Sequence, residues 1–265
     1  MRVTLWRLLL AAVVAVAFGF LLLPVIALFC SISPGKLVSN LKGTVVTQAL
    51  YVSFETSLIA LALIVLLGTP VAYLLARHSF RGKRVVEVVL KLPIVSPPAV
   101  AGVGLLLVFG RTGWLNGPLS FLGFHVAFSK AAVVMAQMFA AGPFFLINAQ
   151  QAFADIDPDL VSVSRTLGAR PWRTFWRIEL PLASSGICSG AGLSLARALG
   201  EFGATIVFAG NLPGHTQTFP LAIYTVLQSS ETAAIAMSAL LMAIAFILLL
   251  AVSLMDRSVR LSPLR

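Results

Sequence analysis

Six long apolar stretches constrain this chain more than any other feature. They lie near residues 8–32, 50–76, 88–109, 130–153, 183–209 and 233–255. Each is long enough for the roughly 20 helical residues that cross a hydrocarbon core. Only 11% of the 265 residues are charged, against about 25% in a typical soluble domain. Lipid is therefore the expected solvent. The runs are continuous, whereas a membrane β-barrel would show short alternating segments. Because each segment in lipid must satisfy its own backbone polar groups, the prediction is an all-α polytopic membrane protein with six transmembrane helices.

The first run starts with Arg2 and Arg7, as a secretory signal would. Its apolar length exceeds a normal signal core and no small-x-small cleavage site follows, so it reads as a retained helix. Basic residues cluster on alternate sides of the predicted spans. One side holds Arg2 and Arg7, then Arg77, Arg81, Lys83 and Arg84, then Arg165, Arg170, Arg173 and Arg177, and finally Arg257, Arg260 and Arg265. The other holds Lys36, Lys42, Arg111 and Lys130. This asymmetry predicts both termini in the cytoplasm, in a multi-pass protein of the cytoplasmic (inner) membrane. The net charge of +10 is thus a topology signal, and nucleic acid is not an expected partner.

The expected organisation is a first helix and external loop over 1–47, one membrane domain of five helices over 48–255, and a basic tail over 256–265. The outer loop Arg111–Ser129 carries Trp114, Phe121, Phe124 and Phe128, which suit a membrane interface. Gly210–Ser230 reads as a second outer loop turned by Pro213-Gly214. No G-x-x-x-x-G-K-[ST] phosphate loop occurs, so this chain does not hold ATP by that route. No nucleophile–base grouping is evident, and no paired histidines suited to haem lie in the spans. His78, His125 and His215 lack ligand spacing, and Cys30 and Cys188 read as small buried packing residues. Neither cofactor nor metal is expected in this subunit. An energy source other than an ion gradient must come from a partner.

The longest inner polar segment, 154–182, includes DIDPDLVSVSRTLGARPWRTFWRIELP from Asp155 to Pro181. Aspartates around Pro158 favour a helix start. Periodicity then places Leu160, Val163, Ser164 and Leu167 on one face. Gly168 stops the helix at low strain, Pro171 opens a second one, and that one is expected to end before Pro181. The residues alone leave two readings open: a loop snorkelling its arginines to lipid headgroups, or a docking element for a soluble partner.

In the fifth span, Gly192, Ala196, Gly200 and Ala204 recur every four residues, and Gly186 and Gly190 form a G-x-x-x-G pair. Small residues at this spacing let backbones approach closely, with or without lining a pore. Arg197 and Glu201 lie one turn apart, and charges in a span rarely face lipid. Mutual neutralisation is the simpler reading; the alternative has Arg197 admitting a divalent anion while Glu201 shapes a gate. In the third span Pro93, Pro97 and Pro98 predict a kinked helix, either bordering a pathway or purely structural.

Gly168, nine residues, Ile178, one residue, Leu180-Pro181 resembles the cytoplasmic coupling loop of ATP-binding-cassette importer permeases. That pattern runs E-A-A, three residues, G, nine residues, I-x-L-P; here Ser162-Val163-Ser164 stand in place of E-A-A. The resemblance implies that Ser162, Ser164, Leu167, Gly168, Ala169, Pro171, Ile178, Leu180 and Pro181 form a loop seated on an ATPase. The missing acid at Ser162 removes the salt bridge that the usual glutamate would make. Residues 195–208, LARALGEFGATIVF, are similar to the fifth-helix signature of molybdate/tungstate permeases, with sulfate permeases close behind. The stretches 91–113, 126–139 and 216–228 fit the same family, and the resemblance covers roughly residues 48 to 252. It implies a type I importer transmembrane domain and a pathway or gate near Pro97, Pro98, Arg197, Gly200, Glu201, Phe202, Gly203 and Thr205. It also implies a homodimer, two cytoplasmic ATPase subunits that bind ATP and Mg, and an extracytoplasmic oxyanion-binding protein. An ion-coupled secondary transporter is the competing class, weakened by Glu201 being the one acid read as deep in a span. A structural membrane anchor would need neither the glycine strip nor the coupling spacing.

Overall fold

The computed structural model describes residues 2–261, and every regular element among them is helical. In chain order these are α1 (Arg2–Cys30), α2 (Pro34–Leu41), α3 (Thr44–Arg77), α4 (Lys83–Val95), α5 (Pro98–Phe109), α6 (Asn116–Phe121) and α7 (Lys130–Ala154). There follow α8 (Pro158–Thr166), α9 (Pro171–Thr174), a π-helical turn (Phe175–Glu179), α10 (Leu180–Leu199), α11 (Gly203–Phe208), α12 (Phe219–Leu227) and α13 (Glu231–Leu261). The all-α expectation holds. Among the described residues four helices are long and apolar enough to cross a membrane: Leu9–Cys30, Thr44–Arg77, Lys130–Ala154 and Glu231–Leu254. The expected tail is described as the backbone of α13 up to Leu261, and 262–265, with Arg265, lie outside the described residues.

Two expected spans take other forms. The third is no mere kink: α4 and α5 meet at 116° across Ser96-Pro97. Pro97 and Pro98 supply no backbone N–H, so the ladder stops there, and Pro98 restarts it at the first turn of α5. The fifth is not one helix over 183–209. It ends at Leu199, breaks through Gly200–Phe202 and resumes as α11. Serines, glycines and Arg197 also keep α10 from the hydropathy of the other spans. A helix surrounded by protein needs less of it, and α10 packs against α7, α13 and α3.

The core forms where α3, α7 and α10 meet. Buried positions on α3 recur at helical spacing: Val52, Ser53, Thr56, Ser57, Ala60, Ile64, Gly68, Ala72 and Leu75. Phe145 of α7 is fully buried. A Cβ on Gly68 would lie 2.8 Å from its ring, and a Cβ on Gly190 would lie 3.2 Å from its carbonyl oxygen. The aromatic ring occupies the room left by side chains its neighbours lack. Gly186 likewise meets Ala152 on α7, whereas Gly192 meets Val252 on α13. The glycine positions therefore serve two partner helices, and the predicted strip stops at Gly200, where α10 ends.

Polar groups inside the bundle are mostly paired. Gln137 donates to Ser57 Oγ at 3.0 Å and to the Ala198 carbonyl at 3.3 Å, while Ser194 donates to the Ala141 carbonyl at 2.9 Å. The segment expected as an outer loop at 210–230 instead contains α12, which is buried along Phe219, Leu221 and Ala222. Its Phe219 N–H donates to Ser53 Oγ at 2.7 Å, and Thr216, Gln217 and Thr218 are buried beside it. The cysteines depart from expectation too. Cys30 and Cys188 are both exposed, a position that a small apolar side chain tolerates on an apolar surface.

Gly102 of α5 gives a sharp test of this packing. An added Cβ would sit 2.7 Å from Val207 Cβ and 3.0 Å from the Ala204 carbonyl oxygen, whereas nothing lies within 4 Å of Gly104. Gly102→Ala is expected to cost about 1–3 kcal/mol and Gly104→Ala to leave stability unchanged or raise it. Thermal unfolding of the purified variants in detergent checks both.

Candidate functional site

The predicted site residues fall into two groups at opposite ends of α10. At its start stands the segment 155–181. Asp157 caps α8, its carboxylate accepting from the Asp159 N–H at 2.9 Å. After Thr166 the chain closes a glycine-terminated helix end. The Gly168 N–H donates to the Arg165 carbonyl at 3.0 Å and the Ala169 N–H to the Ser164 carbonyl at 3.1 Å, with Gly168 at φ +80. Pro171 then opens α9 at the first helical position, as predicted.

The predicted face is not what forms. Ser164 and Val161 point inward, while Leu160, Val163 and Leu167 are exposed. The reason is a contact across the turn, Ser164 Oγ to Thr174 Oγ1 at 3.0 Å, which pins α8 to α9 through the serine. Ser162 is exposed and donates to the Asp159 carbonyl at 2.9 Å. The second helix also does not end before Pro181. The Leu180 N–H reaches back to the Phe175 carbonyl, five residues away, so the chain passes through a π turn and enters α10 without a break. Pro181 sits in the first turn of α10, where its missing N–H costs little. Ile178 and Leu180 are partly buried there, and Pro181 is exposed. The outcome is a stiff helix–turn–helix with an apolar outer surface of Leu160, Val163, Leu167, Trp172 and Trp176, ringed by exposed Arg165, Arg170, Arg173 and Arg177.

Glu179 belongs to this group, and sequence reading missed it. It is 2% exposed and lies 3.0 Å from Arg77 Nε through Oε1, while Tyr73 OH donates to Oε2 at 2.9 Å. Arg77 Nη1 also donates to the Ile156 carbonyl at 3.3 Å, while Nε faces Glu179 as an ion pair without hydrogen-bond geometry and Nη2 is buried without an acceptor. Arg77 was visible in the sequence only as one of the topology-setting charges. Its partner carboxylate lies about a hundred residues further along, so no local pattern joins them.

At the far end of α10, the candidate pathway residues do come together. Arg197 Nη2 meets Glu201 Oε2 at 2.7 Å, with Glu201 1% exposed. The other carboxylate oxygen accepts from the Ala204 N–H at 2.9 Å, which places negative charge at the start of α11. Gly200 ends α10, and Phe202 lies with its ring 5.4 Å from that of Tyr224 on α12. Pro98 of α5 fills the space beside Gly203, while buried Thr205 Oγ1 has no hydrogen-bond partner. Pro97 caps α5 directly before Pro98. The two broken helices thus pack together through α5 and α11, with Pro98 beside the break at Gly203. A third charged contact, Lys130 to Glu55 at 2.6 Å, ties α7 to α3. Glu201 is therefore not the only acid within the bundle. Among the described residues no cluster of metal-ligating side chains occurs.

Comparisons with known proteins agree with one another. A family model described as "Binding-protein-dependent transport system inner membrane component" matches residues 65–261. The chain is 44% identical over 204 residues to the molybdenum transport system permease protein ModB of Mycobacterium tuberculosis, covering 77% of each chain. It is 32% identical over 240 residues to a probable sulfate transport system permease protein, cysT, of Chlorokybus atmophyticus, covering 89% of this chain and 84% of that one. In structure it resembles a chain of a bacterial alginate ABC transporter solved with its periplasmic protein, at TM-score 0.76 and 19% identity, covering 97% of this chain and 96% of that one. The solved structure shows the shared fold, and the relatives are transport components rather than enzymes.

The left-handed turn at Gly168 has open space around it, so only backbone strain opposes a side chain there. Gly168→Val is expected to destabilise the turn by about 1–2 kcal/mol, and Gly168→Asn by much less. Hydrogen exchange of the 157–174 amides reads the difference.

Proposed function

The chain belongs to the family of binding-protein-dependent transport system inner membrane components, and on that premise we propose that it is the permease subunit of an ATP-driven molybdate or tungstate importer. The observation that carries this reading is the element over 157–178. Its turn is fixed by Gly168 and by the Ser164–Thr174 contact, its outer face is apolar, and it runs unbroken into α10. An exposed apolar surface rimmed by arginines suits a soluble protein partner better than water. With no phosphate loop in the chain, that partner is a cytoplasmic ATPase that binds ATP and Mg.

In this reading two copies of the chain surround the pathway, with six spans each and both termini in the cytoplasm. An extracytoplasmic receptor delivers the anion to the opposite side. Closure of the ATPases draws the two coupling elements together, and α10, about 30 Å long by its 20 residues, carries the movement to the Arg197–Glu201 end. Ser162, Ser164, Leu167, Gly168, Ala169, Pro171, Ile178, Leu180 and Pro181 form the coupling loop. Pro97, Pro98, Arg197, Gly200, Glu201, Phe202, Gly203 and Thr205 line or shape the gate. Arg197 is about one-third exposed beside a buried carboxylate. Its charge is thus largely offset, which suits a conduit that passes a dianion without trapping it.

Molybdate is favoured because the permease named for molybdenum transport is 44% identical to this chain. Sulfate is the second reading, on the strength of the sulfate permease relative at 32% identity. The chain reconstituted in liposomes with its ATPase and receptor is expected to hydrolyse ATP faster when molybdate-loaded receptor is added. Uptake of labelled molybdate should be competed by tungstate and only weakly by sulfate. If no ATPase associates with the chain, the reading fails; if sulfate competes equally, the substrate assignment fails.

A further inference from the structure

Arg77, at the end of α3, reaches both roots of the element between α7 and α10. One root is Ile156, just after α7, whose carbonyl accepts from Arg77 Nη1 at 3.3 Å. The other is Glu179, the last residue of the π turn, with its carboxylate 3.0 Å from Arg77 Nε. Tyr73, one helical turn earlier, occupies the second carboxylate oxygen at 2.9 Å. Its ring packs edge-on against Phe153 at 5.3 Å and Phe175 at 4.9 Å, one residue from each side of the same element. A single turn of α3 therefore holds the place where the element leaves the bundle and the place where it returns.

We propose that Arg77, Glu179 and Tyr73 form a clamp that fixes both roots of the coupling element to α3, so that a push on α8 and α9 reaches α10 as rigid-body movement. The proposal rests on the importer reading for its consequence but on the geometry for its existence. A buried ion pair adds little net stability, because desolvation offsets attraction, whereas loss of one partner leaves a stranded charge. What the pair adds is registry. One oxygen of Glu179 accepts from Tyr73 and the other pairs by charge with Arg77, so two different α3 residues hold the junction in register. Between the roots the element is internally stiffened by the Ser164–Thr174 contact. With stiff contents and fixed roots, slack has no other place to collect. Arg77, Glu179 and Tyr73 are positioning residues that act through the element.

The test uses the full chain in two settings. In inside-out membrane vesicles without ATPase, Glu179→Gln is expected to speed tryptic cleavage at exposed Arg165, Arg173 and Arg177. In liposomes holding the assembled transporter, Glu179→Gln should raise the ATP hydrolysed per anion carried by about 5-fold or more, the size of an ordinary coupling loss. Tyr73→Phe should raise it less, and the double variant should match Glu179→Gln alone, because residues of one unit are not additive. Lys130→Gln, which breaks an ion pair elsewhere in the bundle, should leave the ratio unchanged. An unaltered cleavage rate, or an unaltered ratio in an assembled complex, overturns the clamp. If the unchanged chain recruits no ATPase, the importer reading falls while the cleavage measurement still decides the clamp.

Discussion

The bundle depends on how closely α7 approaches α3 and α10, and that approach rests on Phe145. Its ring lies where Gly68 lacks a side chain, and its backbone lies against Gly190. Between helices in lipid the hydrophobic effect contributes little, since the alternative solvent is equally apolar. Dispersion between tightly fitted surfaces must supply the attraction, and small residues let the surfaces fit. The same condition explains why α10 is rich in serine and glycine yet stays within the bundle. It exchanges hydropathy for shape.

Shape alone does not explain the broken helices. A gap in the hydrogen-bond ladder is tolerated at membrane depth only where protein or water replaces the lost partners. The α10–α11 break satisfies that condition, and the α4–α5 break packs beside it. Pro98 closes over Gly203, and Glu201 takes up the exposed Ala204 N–H at the restart. A charged residue here thus serves the backbone first. Its pairing with Arg197 keeps the carboxylate from being a lone buried charge.

Much of this was legible in the sequence. Apolar run length located α1, α3, α7 and α13, because a continuous apolar run of that length suits a helix in lipid and little else. Gly168 and Pro171 announced the turn, since each has a backbone reason to be where it is. The failures have physical causes. Periodicity put Ser164 on one face with Leu160, Val163 and Leu167, but a hydroxyl contact with Thr174 turns Ser164 inward while the three apolar side chains stay exposed. Pro181 read as a stop because a regular helix would clash with it, and the π turn was invisible because it has no composition of its own. The 210–230 segment read as a loop because of its polar residues and the Pro213-Gly214 turn, although Thr216, Gln217 and Thr218 are buried and the Phe219 N–H donates to Ser53 of α3. The pathway residues were named through resemblance, and their meeting in space required the two helix breaks that no local pattern measured.

The π turn at Phe175–Glu179 also sets an angle. Each residue of an ordinary helix rotates the next by about 100°, whereas closing a hydrogen bond over five residues inserts one residue without adding a turn. The tryptophans upstream and the glycines downstream are therefore phased by that extra residue. A chain shorter by one position here would keep every helix and nearly every side chain. It would nonetheless turn the outer element relative to α10, like a crank remounted one notch away on its shaft. In the sequence these five residues look like spacing; in the molecule they are timing.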